Sequence, residues 1–283
     1  MKRVNIFLLL ILAAAMVLFS GYLLWIHGNL DTIGPVFSVE EGILEISVRD
    51  PAEALLQGIT AVDERDGDVT EGILVESVYG ISDENLTTVT YAAFDSAGNV
   101  SKFQRQVRYS DYREPRFELY ASPTFAYGSG FDLLEQVGAE DVLEGNINRR
   151  VHATLISDTQ SLAMEGNHQV KLQVTNSLGD TVEMILPVSV YNPEWYTASV
   201  TLKEYLIYLE AGERFEPRSY LDSFVFRGNP IDLTRGVPDD ITADVVSNVK
   251  TGEPGVYEVT YILSRTQNAM THSGIAKLIV IVQ

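Results

Sequence analysis

Two stretches decide the fold: Ala61-Val62-Asp63-Glu64-Arg65-Asp66-Gly67-Asp68-Val69-Thr70, and Val89-Thr90-Tyr91-Ala92-Ala93-Phe94-Asp95-Ser96-Ala97-Gly98-Asn99. The first is an acidic turn with a glycine, running into a strand. The second alternates with period two and ends in Asp-x-x-Gly-Asn; Val100-Ser101-Lys102-Phe103 then starts a return strand. Alternation followed by Asp, Gly and Asn signals a hairpin. Asp and Asn fold their side chains onto nearby backbone N–H groups, and glycine accepts positive φ.

Both stretches recur. Ala139-Glu140-Asp141-Val142-Leu143-Glu144-Gly145-Asn146 repeats the first without a gap, so Asp141 falls on Asp63, Glu144 on Asp66 and Asn146 on Asp68. Val170-Lys171-Leu172-Gln173-Val174-Thr175-Asn176-Ser177-Leu178-Gly179-Asp180 repeats the second. A more divergent third copy has Asp239-Asp240-Ile241-Thr242 and Tyr257 to Leu263. Pro35, Pro115 and Pro193 open the units, 80 and 78 residues apart (115 − 35 and 193 − 115). Several markers in register argue for internal duplication. A period of about 80 residues suits a small sandwich of the Ig type. The expected fold is all-β: three tandem Ig-like β-sandwiches over 35–112, 113–192 and 193–283. Val89, Tyr91 and Ala93 match Val170, Leu172 and Val174, and Val259, Tyr261 and Leu263, so these positions should face inward.

Ahead of the first unit, Val4 to Ile26 carries no charge. As a helix these 23 residues (26 − 4 + 1) would reach roughly 34 Å, against a hydrocarbon core of about 30 Å. A signal peptide cut after Ser20 or Gly21 is the alternative. The apolar continuation Tyr22-Leu23-Leu24-Trp25-Ile26 favours an uncleaved signal-anchor over residues 1–27. Lys2 and Arg3 precede the run, and the positive-inside rule puts the N-terminus in the cytoplasm and the bulk outside a single-pass cell membrane.

Composition narrows the function. No cysteine means no disulfide framework, no thiolate nucleophile and no Cys-ligated zinc. In a chain expected outside the membrane, that absence leans toward a bacterial surface. The net charge of −19 opposes nucleic acid as a partner, because phosphate contacts need clustered Lys and Arg. The four histidines are scattered, and no phosphate loop or Gly-x-Ser-x-Gly elbow occurs. A glycosidase needs two carboxylates flanking a sugar in a cleft, and carboxylates crowded into one turn do not supply that. The chain reads as non-enzymatic.

The pattern Asp63-x-x-Asp66-Gly67-Asp68-Val69-Thr70, with Val89-Thr90-Tyr91-x-Ala93-x-Asp95-Ser96-Ala97-Gly98-Asn99, resembles bacterial Ig-like repeat domains of the pesticidal-crystal-protein type, related to hyalin-repeat domains. The match is good in the first unit, partial in the second, where Leu143-Glu144-Gly145-Asn146 departs from it, and weak in the third. The third unit has lost the Asp-x-x-Gly-Asn turn. The resemblance implies Ig-like sandwiches that serve as spacers or as adhesion or carbohydrate-binding accessories, with no catalytic activity.

One metal site suggests itself: Asp63, Asp66 and Asp68 as hard oxygen ligands for calcium, which takes about six to eight oxygens. The competing reading is an Asx turn with its carboxylates in water. The expected function is a membrane-anchored binding, adhesion or spacer protein of the bacterial surface, meeting a cell-envelope protein or glycan. The alternative is an accessory subunit that docks an enzyme or transport complex of the envelope.

Overall fold

The computed structural model describes residues 2–156, 162 and 164–283, without the side chains of 2–7, 9, 26–27 and 29. It divides into two compact units, Met1–Ser110 and Asp111–Gln283.

The first unit begins with α1 (Lys2–Asn29). Among the described residues no helix is long and apolar enough to cross a membrane. The side chains of Lys2 and Arg3, on which the orientation was argued, lie outside the described residues. The expected single-pass topology, with a cytoplasmic N-terminus, external bulk and the membrane as partner, is thereby corrected.

Seven strands follow: β1 (Val36–Val39), β2 (Leu44–Ile46), β3 (Ile59–Asp63), β4 (Gly67–Asp68), β5 (Leu74–Tyr79), β6 (Leu86–Phe94) and β7 (Val100–Tyr109). They form two sheets, β1-β3-β4 and β2-β7-β6-β5. The opening segment changes sheet. β1 pairs antiparallel with β3, then β2 pairs parallel with β7. Val89, Tyr91 and Ala93 on β6 are fully buried, as their alternation predicts. Ala92 is buried too, although alternation puts it on the opposite side of the strand. The buried Tyr91 hydroxyl donates to Leu55 O at 2.7 Å, so burying the ring strands no polar group.

The second unit holds two such sandwiches. The first of them uses β8 (Arg116–Leu119), β9 (Thr124–Ala126), β10 (Val137–Asp141), β11 (Gly145–Asn146), β12 (His152–Leu155), β13 (Gly166–Thr175) and β14 (Thr181–Tyr191). Its sheets run β11-β10-β8 and β12-β13-β14-β9. The second uses β15 (Ser199–Leu202), β16 (Leu206–Leu209), β17 (Leu221–Phe226), β18 (Asn229–Asp232), β19 (Ile241–Ser247), β20 (Gly255–Gln267) and β21 (Met270–Val282). Its sheets run β15-β17-β18 and β16-β21-β20-β19. The parallel opening strand recurs as β9 on β14 and β16 on β21. A proline cannot donate to a ladder, so Pro187 calls for an edge or a bulge. β14 is interior by strand order, but β9 pairs only with Ser189 to Tyr191, and Pro187 lies before that contact.

The inward set holds across the copies: Val170, Leu172 and Val174, like Val259, Tyr261 and Leu263, are buried. Tyr261 repeats the device of Tyr91, donating to Pro217 O at 2.8 Å. Leu172 holds the same place in the middle copy with no hydroxyl to satisfy.

Candidate functional site

The acidic turn of the first sandwich sits at the β3–β4 hairpin. Asp63 ends β3 and is almost fully buried. Its Oδ1 accepts from Arg65 N at 2.8 Å and Asp66 N at 2.9 Å, closing an Asx turn. Asp66 reaches across to the β6–β7 hairpin. There its Oδ2 accepts from Ser96 N at 2.5 Å and its Oδ1 from the Ser96 hydroxyl at 2.8 Å. Asp68 accepts from Thr70 N at 2.9 Å, and the hydrogen bonds from Thr70 hold its carboxyl below the usual range. Of the three carboxylates predicted as ligands, Asp66 ties two hairpins together and Asp68 holds the first N–H of a short 3-10 turn, Thr70–Gly72.

The structure instead brings Asp63 together with Asp95 and Asp31. One carboxylate oxygen from each lies within 4.8 Å of the others. Asp95 is also buried. Burial pushes its carboxyl up, but bonds from Asn99 Nδ2, Asn99 N and the N–H groups of Gly98 and Ala97 outweigh this and hold it low. The Asn99 bonds are 2.6 and 2.7 Å. Arg65 Nε stands 3.5 Å from Asp31 Oδ2. Sequence reasoning quoted Asp95 only as a turn residue and did not consider Asp31. The signal available was the offset between copies, which puts Asp95 on Asn176.

The same place in the second sandwich shows what that offset does. Asp141 Oδ1 closes the same Asx turn, accepting from Leu143 N at 2.9 Å and Glu144 N at 3.0 Å. Asn176, in the position of Asp95, donates Nδ2 to Asp141 Oδ2 at 2.9 Å and to the Tyr112 hydroxyl at 2.8 Å. Tyr112 in turn donates to Asp180 Oδ2 at 2.6 Å. Burial, then Asp180, push the Tyr112 hydroxyl well above its ordinary pKa, so it stays a donor. Glu144 takes the role of Asp66, accepting from Ser177 N at 2.6 Å, with Arg150 bound bidentately at 2.9 and 2.6 Å. An amide and a phenol thus satisfy in the second sandwich a site where the first assembles three carboxylates. In the third, Asp240 pairs with Arg265 at 2.6 Å instead.

Away from the turns, a cleft of about 760 Å³ lies between the two sandwiches of the second unit. Its walls include Lys171, Glu183 and Ile185 on one side and Asn248, Val256 and Tyr257 on the other. Lys171 and Glu183 are paired at 2.8 Å, and Glu258, which also lines the cleft, is paired with Lys277 at 2.6 Å, so the walls are mixed in polarity with their charges paired.

No protein-family profile matches this chain, and no curated protein does. Among solved structures it is similar to the CBM51-2 and INT domains of ZmpB from Clostridium perfringens, solved with GlcNAc. That match has 18% identity, covers 53% of this chain and 26% of that one, and has a TM-score of 0.23. It is also similar to Drosophila N-cadherin EC1-4, at 12% identity over 88% of this chain and 75% of that one, TM-score 0.23. The protocadherin GammaB4 extracellular domain matches at 11% identity over 88% of this chain and 49% of that one, TM-score 0.21. The chain thus spans less than two thirds of the ZmpB and protocadherin structures. Likenesses at these TM-scores carry no argument. The fold rests on the chain's own strand order and register, which are those of tandem Ig-like β-sandwiches.

Proposed function

We propose that this chain is a non-catalytic binding or adhesion protein made of three Ig-like domains, 35–112, 113–192 and 193–283, of the bacterial Ig-like repeat type. Its partner is a cell-envelope protein or glycan. One observation carries the reading: the carboxylates that the sequence offers for chemistry serve as acceptors within and between turns. Asp66, Asp68 and Glu144 stiffen hairpins rather than facing a cleft. Rigid sandwiches with a mixed-polarity cleft suit recognition, because a preformed surface loses little entropy on binding.

The calcium reading belongs to the same proposal, with Asp63 joined by Asp95 and Asp31 in place of Asp66 and Asp68. The contrast with Asn176 supports it, since a cation would do in the first sandwich what the amide does in the second.

The experiment immobilises the full chain and presents envelope polysaccharide and envelope protein separately. Saturable binding to one of them, weakened at least tenfold by Ile185→Asp in the cleft, is the expected result. Turnover of an offered glycan or peptide, or no saturable binding to either, refutes the proposal. Calcium is tested by melting the chain in calcium and in chelator. An upward shift that magnesium does not reproduce, and that Asp95→Asn removes, is expected.

A further inference from the structure

The two sandwiches of the second unit share more than a linker. Ile279 lies on β21 of the third sandwich, yet it is fully buried within the core of the second, beside Phe117, Leu186 and Val188. Tyr205, Leu206 and Ile281 pack against the same cluster. β8 is the outer strand of its sheet, so it offers backbone groups with no strand partner. Tyr208 closes that edge. Its hydroxyl accepts from Phe117 N at 2.8 Å and approaches Phe117 O at 3.3 Å.

Three further ties surround this contact. The Arg116 guanidinium lies 4.6 Å from the Tyr208 ring centroid and donates to Gln283 Oε1 at 2.8 Å. Lys277 N donates to the Ser122 hydroxyl at 2.7 Å, while within the third sandwich the buried Lys277 ammonium is paired with Glu258 at 2.6 Å. Burial pushes the Tyr208 hydroxyl up to about 12, so the clamp keeps its proton at any physiological pH.

We infer that the second and third sandwiches form one cooperative arm without a hinge, in which Tyr208 and Ile279 of the third complete the edge and core of the second. The arm is a conformational device: a partner touching both sandwiches meets a fixed geometry and orders no joint on binding. This does not depend on what the partner is, so it stands or falls apart from the proposed function.

The test is hydrogen exchange of the full chain in rising urea, followed by mass spectrometry of peptides covering 170–174 and 259–263. The two should lose protection at one midpoint. Phe224 is fully buried in the third core alone. Phe224→Ala should lower the midpoint of both peptides by the same amount, and Leu172→Ala, in the second core, should do the same. If Phe224→Ala does not fold, Phe224→Leu gives a smaller common shift. A response confined to the peptide from the mutated sandwich overturns the inference.

Discussion

Asn176→Asp places a carboxylate where the second sandwich uses an amide. Its Nδ2 donates to Asp141 Oδ2 at 2.9 Å and the Tyr112 hydroxyl at 2.8 Å, and its Oδ1 accepts from Leu178 N and Asp180 N, both at 3.0 Å, bonds that a carboxylate keeps. These bonds sit at a site where Asn176 and Asp141 are buried. Losing a hydrogen bond to a charged group costs about 1.5–3 kcal/mol. Two carboxylates relaxed to a separation of about 4.5 Å repel by roughly 3.7 kcal/mol at an effective dielectric near 20. Rotation of the side chain recovers part of this, so the net cost at pH 7 should be about 3–5 kcal/mol, the range for breaking a buried polar network.

The sign with pH follows from the repulsion. Leu178 N and Asp180 N still favour the ionised form, but burial, Asp141 and Asp180, which stands where Asn99 donates to Asp95 in the first sandwich, outweigh them and raise the folded pKa of the new carboxyl above its unfolded value of about 3.9. The penalty is present in full above that raised pKa and fades as pH falls, because a protonated carboxyl donates to Asp141 as the amide does. The assay is urea unfolding of the full chain at pH 7 and pH 5, read by exchange at 137–141 and 170–180. A loss under about 1 kcal/mol at pH 7, or a loss equal at both pH values, would refute the argument that the amide stands in for a positive charge.

Three other outcomes are expected. Leu172→Ala should destabilise by about 2–5 kcal/mol, whereas Gln173→Ala on the opposite face should stay within roughly ±0.5 kcal/mol, both by urea denaturation. A Cβ on Gly138 would stand 2.0 Å from the Tyr120 hydroxyl and 2.8 Å from Asn148 Oδ1. Gly138→Ala should therefore cost about 1–3 kcal/mol in a thermal melt, and Tyr120→Phe should recover part of that cost. At Glu144 burial pushes the carboxyl up, but Ser177 and Arg150 outweigh it and hold the group below its usual range. Its contribution is thus present above the unfolded pKa and lost as pH falls through the folded one. Glu144→Gln should flatten the acid limb of a stability–pH profile, and an unchanged limb would count against the pairing.

The hairpins, the inward-facing strands and the threefold repetition were legible in the residues, because they rest on local rules. A strand alternates sides, so Val89, Tyr91 and Ala93 declare their face whatever lies opposite. An Asp two or three residues before a free N–H closes a turn in any copy, which is why Asp63 and Asp141 do the same work. The partners of Asp63 were not legible. Asp31 and Asp95 stand 32 residues away on either side (63 − 31 and 95 − 63), and only the packing of one sheet on the other, with the segment ahead of β1 laid beside both, brings their oxygens within 4.8 Å. Nor does sequence spacing show that Asp66 would be used up by Ser96, 30 residues on. Ile279 and Tyr208 read as ordinary members of apolar strands, and tertiary structure alone assigned them to the core and edge of the preceding sandwich. Local propensity acts over a few residues, while a side chain's partner is set by where the whole sheet lands.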